Sequence, residues 1–225
     1  MTGFTDDTAS SENFHFKSIS NAKSARKSRA VYFASKRAVD VIVCVAAMPV
    51  FAVLCAVVAL LNLFWNPGPL FYCQTRMGKD QRKFRMVKFR TMLPEESSVK
   101  RGPFDGLEEW RITPFGRFMR MTRLDEIPQI LNVIIGEMSL IGPRPEIFEF
   151  AQTYYKTMPD YHVRGTVRPG ITGYSQVTQG YTDSEEMVRE KTRLDAFYVR
   201  NMNWWLDLKV VVGTARVILT SHGAR

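Results

Sequence analysis

Histidine and cysteine are scarce in this chain of 225 residues, which holds three of each. His15, His162 and His222 are scattered and no HExxH occurs, so a zinc site or a histidine-based triad is not expected. Cys44, Cys55 and Cys73 form no CxxC pair and the first two lie inside an apolar run, which argues against disulfides and a cysteine-held metal. Walker, GxGxxG and GxSxG signatures are missing as well, removing the common phosphate-cradling loops and the hydrolase nucleophile elbow. No internal repeat is present. A cleaved leader is not expected either, because the apolar segment begins near residue 39, is longer than a signal core, and follows acidic Asp6, Asp7 and Glu12.

What is present is apolar bulk and positive charge. Hydrophobic residues make up 45% of the chain, which excludes a mostly disordered protein, and a net charge of +9 calls for an anionic partner. Charge alone does not choose among nucleic acid, acidic lipid and a phosphorylated substrate. The apolar run favours anionic membrane lipids, where each basic residue near the surface contributes about 1 kcal/mol. Nucleic acid is not an expected partner, since no recognition motif occurs and an apolar anchor has no use in that role.

The run itself is VIVCVAAMPVFAVLCAVVALL, residues 41–61. As one helix it reaches roughly 30 Å, about the hydrocarbon thickness of a bilayer, so its length permits a full crossing. Pro49 removes a backbone hydrogen bond and crowds the preceding turn, which predicts a kink. Both flanks are basic, with Lys23, Arg26, Lys27, Arg29, Lys36 and Arg37 before and Arg76 to Arg90 after. A crossing would strand one basic cluster on the wrong side. Two readings therefore stand: a helix broken near Met48-Pro49 that enters and leaves by one leaflet, or a span with a tolerated proline.

Around the run, composition and periodicity suggest three regions: a flexible basic tail at 1–30, the membrane helix at 31–65, and a domain at 66–225. After a turn at NPGP, strand-like pieces at 70–74 and 83–92 predict a hairpin around Met77-Gly78-Lys79-Asp80, with Phe84, Met86, Lys88 and Arg90 on one face. Residues 94–109 read as a surface loop. FGRFMRMT and DEIPQILNVIIG then read as helices, the second ended by Gly136. Pro145 to about Met158 is helical in pattern, 168–176 is a loop or short strand, and Thr182–Glu185 has capping-box spacing before a charged helix. The last segment places Trp204, Leu208, Val211, Val212, Ala215, Ile218 and Leu219 on one helical face, with Asn203, Asp207 and Arg216 largely opposite. Adjacent Trp204 and Trp205 suit a membrane interface, and a core-facing helix fits the pattern equally well.

The densest chemical constellation is RFMRMTRLDEIPQILN, residues 117–132. Asp125 and Glu126 sit at a helix start, where free N–H groups stabilise negative charge, and Arg117, Arg120 and Arg123 lie just upstream. Capping with surface salt bridges explains that pattern. So does a carboxylate nucleophile or metal ligand beside guanidinium groups that neutralise a phosphate.

The ordered set KRAVD at 36–40, KFRTM at 88–92, TRLDEIPQILNVIIGEMSLIGPRPE at 122–146 and RPGITGYSQV at 168–177 resembles the bacterial sugar transferases, the monotopic phosphoglycosyl transferases that begin glycan assembly on a polyprenyl carrier. The resemblance covers about residues 36–220 and makes the domain at 66–225 the catalytic one. It implies a mainly α fold with a small β hairpin, in a monotopic membrane protein with an N-terminal re-entrant, proline-broken helix and interfacial amphipathic helices. It implies transfer of a sugar 1-phosphate from a UDP-sugar to undecaprenyl phosphate, with release of UMP and a covalent aspartyl intermediate, at the cytoplasmic face of a bacterial inner membrane.

Residue by residue, it puts Asp125 and Glu126 at the family's catalytic dyad, with Asp125 as nucleophile and near or on Mg2+, while Glu126 acts as base, orienter or metal ligand. Arg120, Arg144, Lys88 and Arg90 become candidates for substrate phosphate, the last two also for lipid anchoring. Lys36, Arg37, Pro49, Trp204 and Trp205 become the membrane anchor and kink. A homodimer is compatible with this reading. Three departures stand out: Met48-Pro49 where the family has Ser-Pro, GITGY where GITGW is common, and TQGYTD in place of a more basic stretch. The sugar is not legible.

Overall fold

A computed structural model of the chain describes residues 7–94, 102, 105, 108–179 and 184–220, and side chains from residue 26 to 219 of these. Two compact units divide it, Met1–Val39 and Asp40–Arg225.

Helix α1, Asp7–Trp65, runs through both units and through Pro49. The expected break into two helices at Met48-Pro49 is therefore absent: a proline deletes one donor and its ring already holds a helical φ, so a long apolar helix absorbs it. Residues 1–6 of the expected tail lie outside the described residues, and from Asp7 the backbone is helical. In the first unit, Tyr32 meets Phe33 edge-on at 5.4 Å and Arg29 lies over the Phe33 ring at 5.7 Å. Lys36 is buried and Arg37 half-buried.

The second unit starts on the same helix. Cys44, Phe51 and Val58 recur every seven residues and join the main core with Phe84, Met86, Phe89, Met119, Ile130, Val133 and Met138. On the same helix Ile42, Val50, Val53, Leu60, Leu63 and Phe64 stand exposed. Both ends of the apolar run are tied to that body. Asp40 accepts from the Ser139 hydroxyl at 2.7 Å and from the Leu140 N–H at 3.2 Å. At the far end the Asn66 side chain donates to the Arg90 carbonyl at 2.8 Å, and the Arg90 guanidinium donates to the carbonyls of Asn66, Pro67, Pro69 and Met92.

Strands β1, Phe71–Met77, and β2, Lys83–Phe89, pair antiparallel from Phe71–Phe89 to Met77–Lys83, as the hairpin expectation required. Alternation sends Phe84 and Met86 into the core and brings Lys88 out at the end of the same face. Helix α2, Pro114–Met121, docks on the segment just beyond β2 through Gly116, where any Cβ would collide with the Thr91 carbonyl. After α3, Gln129–Ile135, Gly136 takes a φ of 93° and ends the helix.

A short parallel pair joins β3 at Ser139–Ile141 to β4 at Gly170–Thr172, the latter within the segment expected as a loop or short strand; it is the pairing of the two that hydrophobic periodicity does not announce. Helices α4, Phe148–Thr157, and α5, Tyr161–Arg164, form a second core with Val188 of α7, Glu185–Arg200. Between them in sequence lies α6, Tyr174–Thr178. The cap of α7 is Ser184, whose hydroxyl accepts from the Met187 N–H at 3.3 Å; the Thr182 cap position lies outside the described residues, as does most of the expected 94–109 loop.

Helix α8, Trp204–Thr220, inverts the pattern of a soluble helix. Its apolar face of Trp204, Leu208, Val211, Val212, Ile218 and Leu219 is exposed, while Leu206, Asp207 and Val210 are buried. Asp207, expected on the outer polar side, accepts a 2.6 Å hydrogen bond from the Tyr198 hydroxyl instead.

Candidate active site

The dyad is presented by a turn rather than by a helix start. Thr122 caps the end of α2 by donating to the Phe118 carbonyl at 2.9 Å. Arg123 then adopts a left-handed conformation at φ 59°, which stops the helical path, and Leu124–Glu126 form one 3-10 turn before Pro128 leads into α3. Left-handed φ in a residue with a Cβ costs on the order of 1 kcal/mol, and such strain concentrates at functional sites. Leu124 and Ile127 pack against the main core on either side of the dyad, so the turn is pinned by its apolar neighbours.

Asp125 and Glu126 are each only 8% exposed, yet their surroundings differ. The Glu126 carboxylate accepts three charge-assisted bonds. Lys88 Nζ donates to its Oε1 at 2.8 Å, and Arg144 grips both oxygens, with Nη1 3.1 Å from Oε2 and Nη2 on Oε1. Asp125 accepts no hydrogen bond or ion pair among the described residues, although Lys88, Arg120 and Arg144 act on it electrostatically.

These surroundings set opposite ionisation tendencies. Burial raises the Asp125 pKa, and the charge of Glu126 adds to it against the pull of Lys88 and the arginines. For Glu126 burial also pushes upward, but Arg144 and Lys88 more than offset it and hold the carboxyl well below the usual range. Burial lowers Lys88, with Glu126 opposing. Two adjacent acids thus take two roles: one fixed anion, and one carboxylate with free lone pairs.

Of the upstream arginines, Arg120 acts on Asp125 electrostatically. Its Nε donates to the Thr91 hydroxyl at 2.9 Å, which orients the rest of the guanidinium, while Arg117 is exposed. Arg144 and Lys88 reach the dyad from the Pro-Arg-Pro turn and from β2. Arg90 is buried with its donors committed to main-chain carbonyls of the NPGP turn, which makes it a clamp on the hairpin. Trp204 and Trp205 stand exposed on α8.

Several supporting residues escape sequence reasoning. Asn132 sits on the core side of α3, accepting from the Val87 N–H at 3.0 Å and donating to the Arg85 carbonyl at 2.8 Å, so it fixes β2 beside the dyad. Thr91 in KFRTM had the only usable signal, through its motif. Asp195 and Lys191 look like a solvated face of a charged helix, and both turn inward.

No group of three or more His, Cys, Asp or Glu is placed to hold a metal ion among the described residues. With Glu126 occupied by cations, the dyad offers a metal only the oxygens of Asp125.

Similarity to known proteins is extensive. The family described as bacterial sugar transferase matches residues 31–221. An Aeromonas hydrophila UDP-N-acetylgalactosamine-undecaprenyl-phosphate N-acetylgalactosaminephosphotransferase is 40% identical over 195 residues, 87% of this chain and 46% of that protein. A Caulobacter vibrioides UDP-glucose:undecaprenyl-phosphate glucose-1-phosphate transferase is 36% identical, over 84% of this chain and 71% of its own length. The exopolysaccharide production protein PSS of Rhizobium leguminosarum bv. phaseoli is 35% identical, over 82% and 95%. The chain thus spans about half of the first of these and nearly all of the third.

Proposed function

The chain belongs to the bacterial sugar transferase family, and from that premise we propose that it transfers a sugar 1-phosphate from a UDP-sugar to undecaprenyl phosphate. UMP is released, and the product opens exopolysaccharide or related glycan assembly. The observation that carries the chemistry is an Asp125 that accepts no hydrogen bond or ion pair among the described residues, beside a Glu126 held by Lys88 and Arg144.

Asp125 is the nucleophile. One of its oxygens attacks the sugar-bearing phosphorus, the bond from that phosphorus to the bridging oxygen breaks, and UMP leaves with that oxygen and the bonding pair. The sugar phosphate is then held as an acyl phosphate on Asp125. A phosphate oxygen of undecaprenyl phosphate attacks the same phosphorus and expels the carboxylate, leaving the sugar joined to the lipid through a pyrophosphate. Both nucleophiles are anions at neutral pH, so neither step needs a histidine base. Glu126 holds the clamp rather than taking a proton, because three donors occupy its oxygens. Arg120, Arg144 and Lys88 neutralise the phosphates.

A divalent cation such as Mg2+, if held by Asp125, would supply further neutralisation of the phosphates. The residues fit one: Mg2+ commonly takes one or two carboxylates and completes its shell with substrate phosphates and water, and Asp125 provides that one carboxylate.

A lipid carrier and a soluble nucleotide sugar meet only at a membrane surface, and two features support placement on one side of a membrane. Asp40 and Asn66, at the two ends of the apolar run, bond to the same globular unit. A straight crossing would carry one of them away by about 39 Å of helix rise. We read α1 as entering and leaving by one leaflet, with Pro49 supporting a bend inside a continuous helix. The outward apolar face of α8 then lies in the interface, with Trp204 and Trp205 at headgroup level.

Detergent-solubilised protein with Mg2+, undecaprenyl phosphate and a panel of UDP-sugars tests this reading by assay of UMP. Formation of UMP with at least one donor is expected. Release of UDP, or no nucleotide with any donor, overturns it.

A further inference from the structure

The Pro-Arg-Pro turn that delivers Arg144 is built in an unusual way. Pro143 and Pro145 have no N–H, so this stretch is held mainly through its carbonyls. Four consecutive ones are taken by four different donors. Pro143 O accepts from the Gly170 N–H at 3.0 Å and Glu146 O from the Met77 N–H at 3.1 Å. Between them, Pro145 O accepts from Arg76 Nη1 at 3.0 Å and Arg144 O from Arg164 Nη2 at 2.8 Å. Strand backbone thus secures the outer two, and side-chain guanidiniums secure the inner two.

Arg164 is set in place from several sides. It is 7% exposed, with Nε 2.8 Å from Asp195 Oδ2, its guanidinium 4.7 Å from the centre of the Tyr161 ring, and an Nη2 3.8 Å from Glu146. The Asp195 contact is off the N–H axis, so it is ionic rather than a directed hydrogen bond. Glu146 is shared with Lys191, one helical turn from Asp195 on α7. Together Asp195 and Lys191 carry α7 into contact with the turn from behind.

An apolar pair of matching size would fill this space with equal or better stability, since burying ions costs more than their attraction usually returns. What an ionic network adds is direction. Arg144 lies between two prolines, so its backbone has little freedom left, and the carbonyl held by Arg164 sets where its Cα–Cβ bond points. The other end of that side chain is the fork on Glu126, at the site of phosphate transfer. Arg164 touches neither member of the dyad.

We infer that Arg164, anchored by Asp195, is a positioning residue that aims the Arg144 guanidinium at the donor phosphates. This rests on the transferase reading, in which Arg144 binds phosphate. Misplacement by about 1 Å costs up to about 100-fold in rate, so loss of the Arg164 bond should lower kcat/KM for the donor by about 10- to 100-fold.

The test is a double-mutant cycle on full-length protein with UMP as readout. Arg164→Lys keeps a cation for Asp195 and Glu146 but loses the guanidinium that serves both Asp195 and the Arg144 carbonyl. It is measured alone and in an Arg144→Lys background. The expected result is a large drop in the wild-type background and less than about twofold further loss in the Arg144→Lys background. An equal drop in both backgrounds, or none in the first, overturns the inference. Asp195→Asn, nearly identical in shape, gives the same cycle should Arg164→Lys fail to fold. Absence of UMP from the wild type would instead sink the transferase reading, which separates the two failures.

Discussion

Two neighbouring carboxylates of equal exposure carry opposite linkage. Asp125 binds its proton more tightly in the fold than in the unfolded chain, so its contribution favours the fold below the ordinary aspartate pKa and is lost as pH rises through the raised value. At neutral pH its buried charge is a cost. Glu126 behaves in reverse: its contribution is present above the ordinary glutamate pKa and is lost as pH falls through the depressed one. Asp125→Asn is therefore expected to abolish turnover while raising the melting temperature at pH 7. Glu126→Gln leaves the half-buried Lys88 and Arg144 without their main counter-charge and should cost up to about 3 kcal/mol. Thermal melts of the two variants in one detergent check the signs, and a lowered melting temperature for Asp125→Asn would contradict this account. The acid limb of the UMP-release profile should likewise lie above the usual aspartate range.

The elements show how a small hairpin and short helices aim long side chains. Lys88 reaches Glu126 because β2 alternates inward, and β2 keeps its place because Asn132 on α3 bonds its backbone on both sides of Met86. Asn132→Ala leaves the Val87 N–H and the Arg85 carbonyl without that partner, at about 2 kcal/mol. A lower melting temperature together with weaker activity is expected; unchanged values would show that water or a neighbour replaces the amide. The hairpin and its inward face were legible from alternation alone. Asn132 was not, because an amphipathic template assigns asparagine to solvent, and only the neighbouring strand supplies the donors and acceptors that justify its burial. Helix α8 is the mirror case: its apolar face is readable from spacing, but spacing does not say whether that face points to core or lipid.

At the scale of the whole molecule the decisive feature is that both ends of one apolar run are held by one body. If α1 enters and leaves by the same leaflet, a membrane-impermeant thiol probe on single cysteines placed in 26–30 and in 76–90 should label both from the cytoplasmic side. Labelling from opposite sides would establish a full crossing. The sequence by itself determined the apolar run and its basic flanks, the hairpin, and, by resemblance, the family and its candidate dyad, because periodicity, composition and motif order are local properties of the chain. Only the tertiary structure decided that Glu126 is clamped while Asp125 accepts no bond among the described residues, that Arg90 holds a turn, and that Asp195 and Lys191 stand behind Arg144. Those roles depend on which charges burial brings within hydrogen-bond reach, across separations of 38 residues for Lys88–Glu126 and 45 for Glu146–Lys191. No local pattern encodes such distances.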